Sequence, residues 1–200
     1  MPHDRPAPLH AFSLLELLAV IAIMAVLAVA IIPALNSTSR STELGMAAQM
    51  VVDEIHYGRS LAAGLNRPVE ITFLRDAGAD DGWFEKFRSR SLEQDGTTRW
   101  VSPVRRLPDT IAISAHPTLS NVLGSQSPQP QSGGGEEVAL RFSPSGEMEL
   151  VDPNASPTDP ARFLTLAYRI DLQRAPGTRP PNFATVQISP RNSQAVVHRP

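Results

Sequence analysis

HAFSLLELLAVIAIMAVLAVAIIPAL, residues 10–35, is the longest apolar run of the chain. Every residue over 17–32 is apolar, and one acid, Glu16, stands just inside the apolar edge. About 20 apolar residues are needed to cross a bilayer as a helix. Residues 12–35 are long enough for that, and no other stretch of the 200-residue chain is. The first expectation is therefore a membrane-held N-terminus carrying one soluble domain. The preceding MPHDRPAPLHA holds three prolines and Asp4 and lacks the positive n-region of a secretory signal.

Composition narrows the classes. The net charge of −2 gives no global attraction to nucleic acid or to an anionic surface. There is no Cys, which excludes disulfides, thiolate metal sites and a Cys nucleophile. Most of the 19 Pro and 12 Gly lie beyond Arg67 and predict short strands and turns there.

The residues at the start of the apolar run carry a resemblance. Ala11-Phe12-Ser13-Leu14-Leu15-Glu16-Leu17-Leu18 resembles the processing site of type IV prepilins and type II secretion pseudopilins. The resemblance implies a leader over 1–11 that a prepilin peptidase removes between Ala11 and Phe12, with N-methylation of Phe12. Glu16 becomes the fifth mature residue, the position of the family's acid, and Ala11 stands where the family usually has Gly. Pro33 matches the family's helix-kinking proline. The implied partners are the membrane, the peptidase and other pilin or pseudopilin subunits. The implied location is a single-pass inner-membrane protein with an extracytoplasmic head, then a pilus or pseudopilus filament. An acid in a spanning helix costs about 2.5–3.5 kcal/mol at the bilayer centre and is usually functional. Here Glu16 would pair with the new amine of Phe12 on a neighbouring subunit and set axial register. Pro33, lacking an N–H, predicts a kink or local break.

Beyond Asn36-Ser37-Thr38-Ser39 the helical period resumes. Leu44, Ala48, Val51, Ile55, Gly58, Ala62 and Leu65 fall on one face, while Glu43, Gln49, Asp53, Glu54, His56 and Arg59 fall off it. The stripe is small as well as apolar, which suits close packing on a sheet. Asn66-Arg67-Pro68 ends the helix. Domain limits follow: leader 1–11, transmembrane and filament-core helix 12–35, amphipathic half 36–67 and β-rich head 68–200. The expected fold class is α+β, a long N-terminal helix with a transmembrane first half, packed on a C-terminal antiparallel β-sheet head.

In the head the period changes to two. Strands are predicted over 69–73, 83–92, 98–101, 107–114, 138–142, 147–151, 163–172, 183–189 and 195–197. Residues 120–136, rich in Ser, Gln, Pro and Gly, read as a mobile surface loop. The helix over 46–73 and the Phe142-Ser143-Pro144-Ser145-Gly146 turn resemble GspH/FimT-type minor pilins. The ending NFATVQISP…HRP is similar to the Verru_Chthon cassette protein D group.

No enzyme motif is present, and no cofactor or metal site is predicted. His56 lies one turn after Asp53, a spacing for an ion pair on the polar face, and His116 has no evident partner. The acidic segment 76–82 reads as a solvated hairpin loop, with calcium as the alternative, because the EF-hand spacing and its terminal Glu are missing. The leading function is a minor pilin or pseudopilin. The alternative is a membrane-anchored binding module for DNA or a surface ligand, resting on Arg88, Arg90, Arg105, Arg106, Arg191 and Arg199. Net charge and the absence of interleaved aromatics argue against strong DNA binding.

Overall fold

The structure is a computed structural model that describes residues 13–76, 82–131, 134–157 and 159–200, with the side chains of 28–40 outside the description. Ala11 and Phe12, and residues 77–81 of the acidic segment, also lie outside the described residues. The chain divides into two compact units, Met1–Arg40 and Ser41–Pro200.

Helix α1 is assigned over Leu14–Leu65, a span that includes Pro33. Its end follows from the residue after it. Asn66 takes the left-handed conformation, with φ of 51°. The Asn66 N–H then donates to the Ala63 carbonyl and the Arg67 N–H to the Ala62 carbonyl. These two bonds satisfy carbonyls the helix would leave unpaired, and Asn tolerates the left-handed region better than most residues.

In the second unit the head is two antiparallel sheets. The first holds β1 (Val69–Arg75), β3 (Lys86–Leu92), β4 (Thr98–Trp100), β5 (Arg105–Arg106), β7 (Gln129–Pro130), β8 (Glu136–Phe142) and β9 (Met148–Leu150). Its central order is β4-β3-β1-β8-β7, with β5 on β3 and β9 on β8. The second holds β2 (Trp83–Phe84), β6 (Ile111–Ser114), β10 (Arg162–Tyr168), β11 (Phe183–Ile188) and β12 (Ala195–His198), in the order β12-β11-β10-β6-β2. Two short helices, α2 (Asn121–Gly124) and α3 (Arg169–Arg174), complete it.

One core joins these layers. Ala48, Val51, Ile55 and Ala62 of α1 are buried with Val69, Ile71 and Phe73 of β1 and with Leu164, Leu166 and Val186 of the second sheet. The contact is close because of Gly58. A Cβ there would lie 3.1 Å from two Ile71 side-chain carbons. The small residues of the stripe thus set how near the helix approaches the sheet.

Several expectations are corrected. The α+β class, a long helix with a membrane-spanning first half packed on an antiparallel β-sheet head, does not hold. Among the described residues no helix is long and apolar enough to cross a membrane. The single-pass inner-membrane location and the transmembrane and secretion character implied by resemblance are withdrawn with it. The head is two sheets because the predicted strand over 83–92 divides at Glu85. Trp83–Phe84 pairs with β6 in one sheet, and Lys86–Leu92 pairs with β1 in the other.

The predicted strand over 163–172 ends at Tyr168 and turns into α3, which buries Leu172. Its acid Asp171 lies in the first turn and its base Arg174 in the last, each favourable to the helix dipole. Residues 120–136 contain α2 and β7 rather than an unstructured loop. Val122 and Leu123 are core residues. The buried Gln126 amide donates to the Val122 carbonyl and accepts from the Val151 and Asp152 N–H groups. Asn121 accepts from the Phe163 N–H and donates to the Ala161 carbonyl. Polar side chains replace the apolar periodicity as the local anchor.

Candidate assembly surface

The first unit presents an exposed apolar helix. Leu14, Leu15, Leu17, Leu18, Val20, Ile21, Ile23, Met24, Val26 and Leu27 are all exposed, from 83% at Leu14 to 47% at Val20. They cover the whole circumference, since no polar position interrupts the run after Glu16. A helix apolar all round is stable in water only when something buries it. An exposed apolar surface of this extent marks an interaction site.

Its start is built locally. Ser13 is the capping residue: its Oγ accepts from the Glu16 N–H at 3.2 Å, and its carbonyl accepts from the Leu17 N–H at 3.2 Å. Ser13-x-x-Glu16 is the spacing of a capping box, and an acid in the first turn complements the helix dipole. Glu16 is exposed and makes no ion pair among the described residues. The capping bond uses the Glu16 backbone, so the carboxylate is left for a partner. Of the predicted processing residues, Ala11 and Phe12 lie outside the described residues, and Pro33 sits within α1.

In the second unit, residues 41–65 of α1 are fastened to the head by polar contacts as well as packing. Glu54, placed off the apolar stripe by its spacing, is 2% exposed. Its carboxylate accepts from Ser89 Oγ at 2.5 Å, Ser102 Oγ at 3.0 Å and an Arg105 guanidinium nitrogen at 3.4 Å. Tyr57 Oη donates to the Val101 carbonyl and Thr110 Oγ1 to the Glu43 carboxylate. No spacing rule identifies this cluster, because its members come from three separate stretches of chain.

Four of the six arginines invoked for a DNA-binding module are engaged. Arg90 donates to Glu70 at 2.7 Å and Glu137 at 2.8 Å. Arg105 reaches Glu54, Arg106 lies 3.5 Å from Glu85 and 3.8 Å from Asp76, and Arg199 donates to the Ser41 carbonyl. Burial opposes the charge on Arg90, but the bonds to Glu70 and then Glu137 hold its pKa above the ordinary value. Arg88 stacks on Trp100, 3.2 Å from the ring centroid, and burial lowers its pKa. Arg191 is exposed.

Asp53 accepts from Gln49, its neighbour one turn before. His116 Nδ1 shares a hydrogen bond with Thr118, whose hydroxyl also reaches the Gly177 carbonyl. Among the described residues no group of three or more His, Asp or Glu side chains is placed to hold a metal ion.

Comparison with known proteins finds no family model, no curated protein and no solved structure that matches this chain.

Proposed function

We propose that the chain is a non-enzymatic structural subunit of a filament of the type IV pilus or pseudopilus kind, a minor pilin-like protein. The helix surface from Leu14 to Leu27 is buried against the same surface of neighbouring subunits. The observation that carries this reading is the ring of ten exposed large apolar side chains. Full burial of such a side chain yields about 1.5–3 kcal/mol. A single neighbour covers less than half of a helix circumference and gains roughly 10 kcal/mol. That is comparable to the 4–15 kcal/mol or more lost in association. A bundle of several helices buries the ring completely and exceeds this cost, which favours a multi-subunit assembly over a dimer.

The sequence AFSLLELL supplies the rest of the proposal. A prepilin peptidase cuts between Ala11 and Phe12, and the new amine of one subunit meets the Glu16 carboxylate of the next. The DNA-binding alternative has less support, because Arg90, Arg105 and Arg106 face carboxylates of their own chain. The test is mass spectrometry of the chain recovered from an assembled fraction of its host, together with Glu16→Gln. The expected mature chain starts at Phe12 and carries an N-methyl group. Glu16→Gln keeps the Ser13 cap, which uses the backbone N–H, and removes only the charge. Assembly is expected to fail while helicity is retained. A chain that keeps residues 1–11 in the assembly, or full assembly of the Gln variant, would refute the proposal.

A further inference from the structure

The geometry points to a binding site for an acidic carbohydrate on the outer face of the five-stranded sheet. One face of this sheet lies in the main core through Leu164, Leu166, Val186 and Ile188. The opposite face is covered at one end only, where Leu119 and Leu172 pack with Trp83, Ala112, Ala167 and Phe183. Over β10, β11 and β12 the face opens into two adjoining depressions of about 410 and 280 Å³. They share Phe163, Arg179, Phe183 and Thr185. Volumes of this order suit a small ligand, typically about 300–1,000 Å³.

The lining has one sign of charge. No Asp or Glu side chain lines either depression, whereas Arg179 and Arg199 do; the Arg199 guanidinium donates to the Ser41 carbonyl, which leaves Arg179 as the cation for a ligand. The Arg179 guanidinium carbon lies 4.4 Å from the Phe183 ring centroid, and Arg179 makes no ion pair among the described residues. Its planar fork matches a carboxylate. The floor is both aromatic and hydroxylated. Phe163 offers a ring, Thr165 and Thr185 share a hydroxyl contact at 3.2 Å, and the Gln187 amide is exposed.

These features choose between acidic partners. The backbone groups under the groove are consumed by the β10–β11 and β11–β12 ladders. An extended acidic peptide lying on this face finds no main-chain partners for its own amides. A sugar brings its own hydroxyls to Thr185, which the buried Thr165 hydroxyl backs, and to Gln187, lays its C–H face on Phe163, and offers a carboxylate to Arg179.

The test is calorimetric titration of the full chain with tetragalacturonate, with maltotetraose and tetraglutamate as controls. Tetragalacturonate is expected to bind at least tenfold more tightly than either control. Arg179→Ala and Gln187→Ala, both at surface positions, are expected to weaken it at least tenfold and about threefold, with unfolding temperatures unchanged. Three results overturn the inference: no binding of tetragalacturonate, equal binding by Arg179→Ala, or either maltotetraose or tetraglutamate binding as tightly.

Discussion

Replacing Glu54 by Ala removes one carboxylate and disturbs three elements at once. The side chain is 2% exposed and lies between the helix and the first sheet. It accepts from Ser89 Oγ at 2.5 Å and Ser102 Oγ at 3.0 Å, with Arg105 more distant at 3.4 Å. Hydrogen bonds to charged groups contribute about 1.5–3 kcal/mol each before the carboxylate's own burial cost is set against them. Arg105 is about one-third exposed and rehydrates, so its loss is small. The two hydroxyls stay near the helix, and the Ser102 oxygen still accepts from the Ser89 N–H. The net expectation is a loss of about 2–4 kcal/mol for Glu54→Ala. Glu54→Gln keeps an acceptor oxygen, and about half of that loss is expected. For a domain of this size 1 kcal/mol corresponds to roughly 2–4 °C in Tm, so Glu54→Ala should melt roughly 4–16 °C lower. Thermal unfolding followed by circular dichroism measures this, and a cycle with Ser89→Ala isolates the pair, with a coupling of at least about 1 kcal/mol expected. A Glu54→Ala variant within about 0.5 kcal/mol of the parent would refute the reasoning.

Other perturbations test the packing and the charge placement. Gly58→Val should destabilise by about 1–3 kcal/mol, because even a Cβ meets Ile71 at 3.1 Å. Gly64→Ala, with open space around it, should stabilise by up to about 1 kcal/mol through helix propensity. Both are read by denaturant unfolding. Gly124→Ala brings a Cβ within 2.4 Å of the Ala115 carbonyl and 2.5 Å of the Pro117 nitrogen. That contact is with backbone, so α2 must shift and a loss above about 2 kcal/mol is expected. The carboxyls of Asp76, Asp95 and Asp152 titrate below their ordinary value of 3.8, held down first by the Lys86 side chain, the Thr97 side chain and the Ser127 N–H respectively. A depressed carboxyl stabilises the fold above its unfolded pKa and loses that contribution as pH falls through the folded one. Stability should therefore be flat above about pH 5 and decline progressively below the ordinary carboxylate range. A Tm that rises on acidification from pH 5 to 3 would contradict this.

The parts of the fold that were legible are those set by local periodicity. The stripe Leu44, Ala48, Val51, Ile55 and Ala62 is buried as its spacing requires, but Leu65 is 44% exposed. Leu65 stands at the last turn, where Asn66 diverts the chain into β1. Glu54 was unreadable as a buried residue because the polar side of a helix is identified only relative to what wraps it. Ser89 and Ser102 wrap it here, and they approach through β3 pairing rather than through sequence proximity. The same holds for Arg90 and Arg141, which meet Glu70 because β3 and β8 place them directly opposite it. Around 120–136 composition misled. Gln126 and Asn121 are loop-like residues used as buried hydrogen-bonding anchors. The Ser13 cap, by contrast, was readable from the S-x-x-E spacing and was obscured by the apolar run that follows. The apolar run itself identifies a surface that needs covering, and its sequence alone does not name what covers it.

The most direct test of the assembly account uses the absence of native cysteine. A single Ile21→Cys substitution in the full chain reports on the helix surface, and Glu149→Cys on β9 serves as a control in the head. Under oxidising conditions, with the chain in its assembled fraction, the thiol introduced by Ile21→Cys should form disulfide-linked dimers between subunits and resist alkylation. The thiol introduced by Glu149→Cys should be alkylated freely. Alkylation of the helix thiol as fast as that of the head thiol, with no cross-link formed, would contradict the claim that this helix is the core of an assembly.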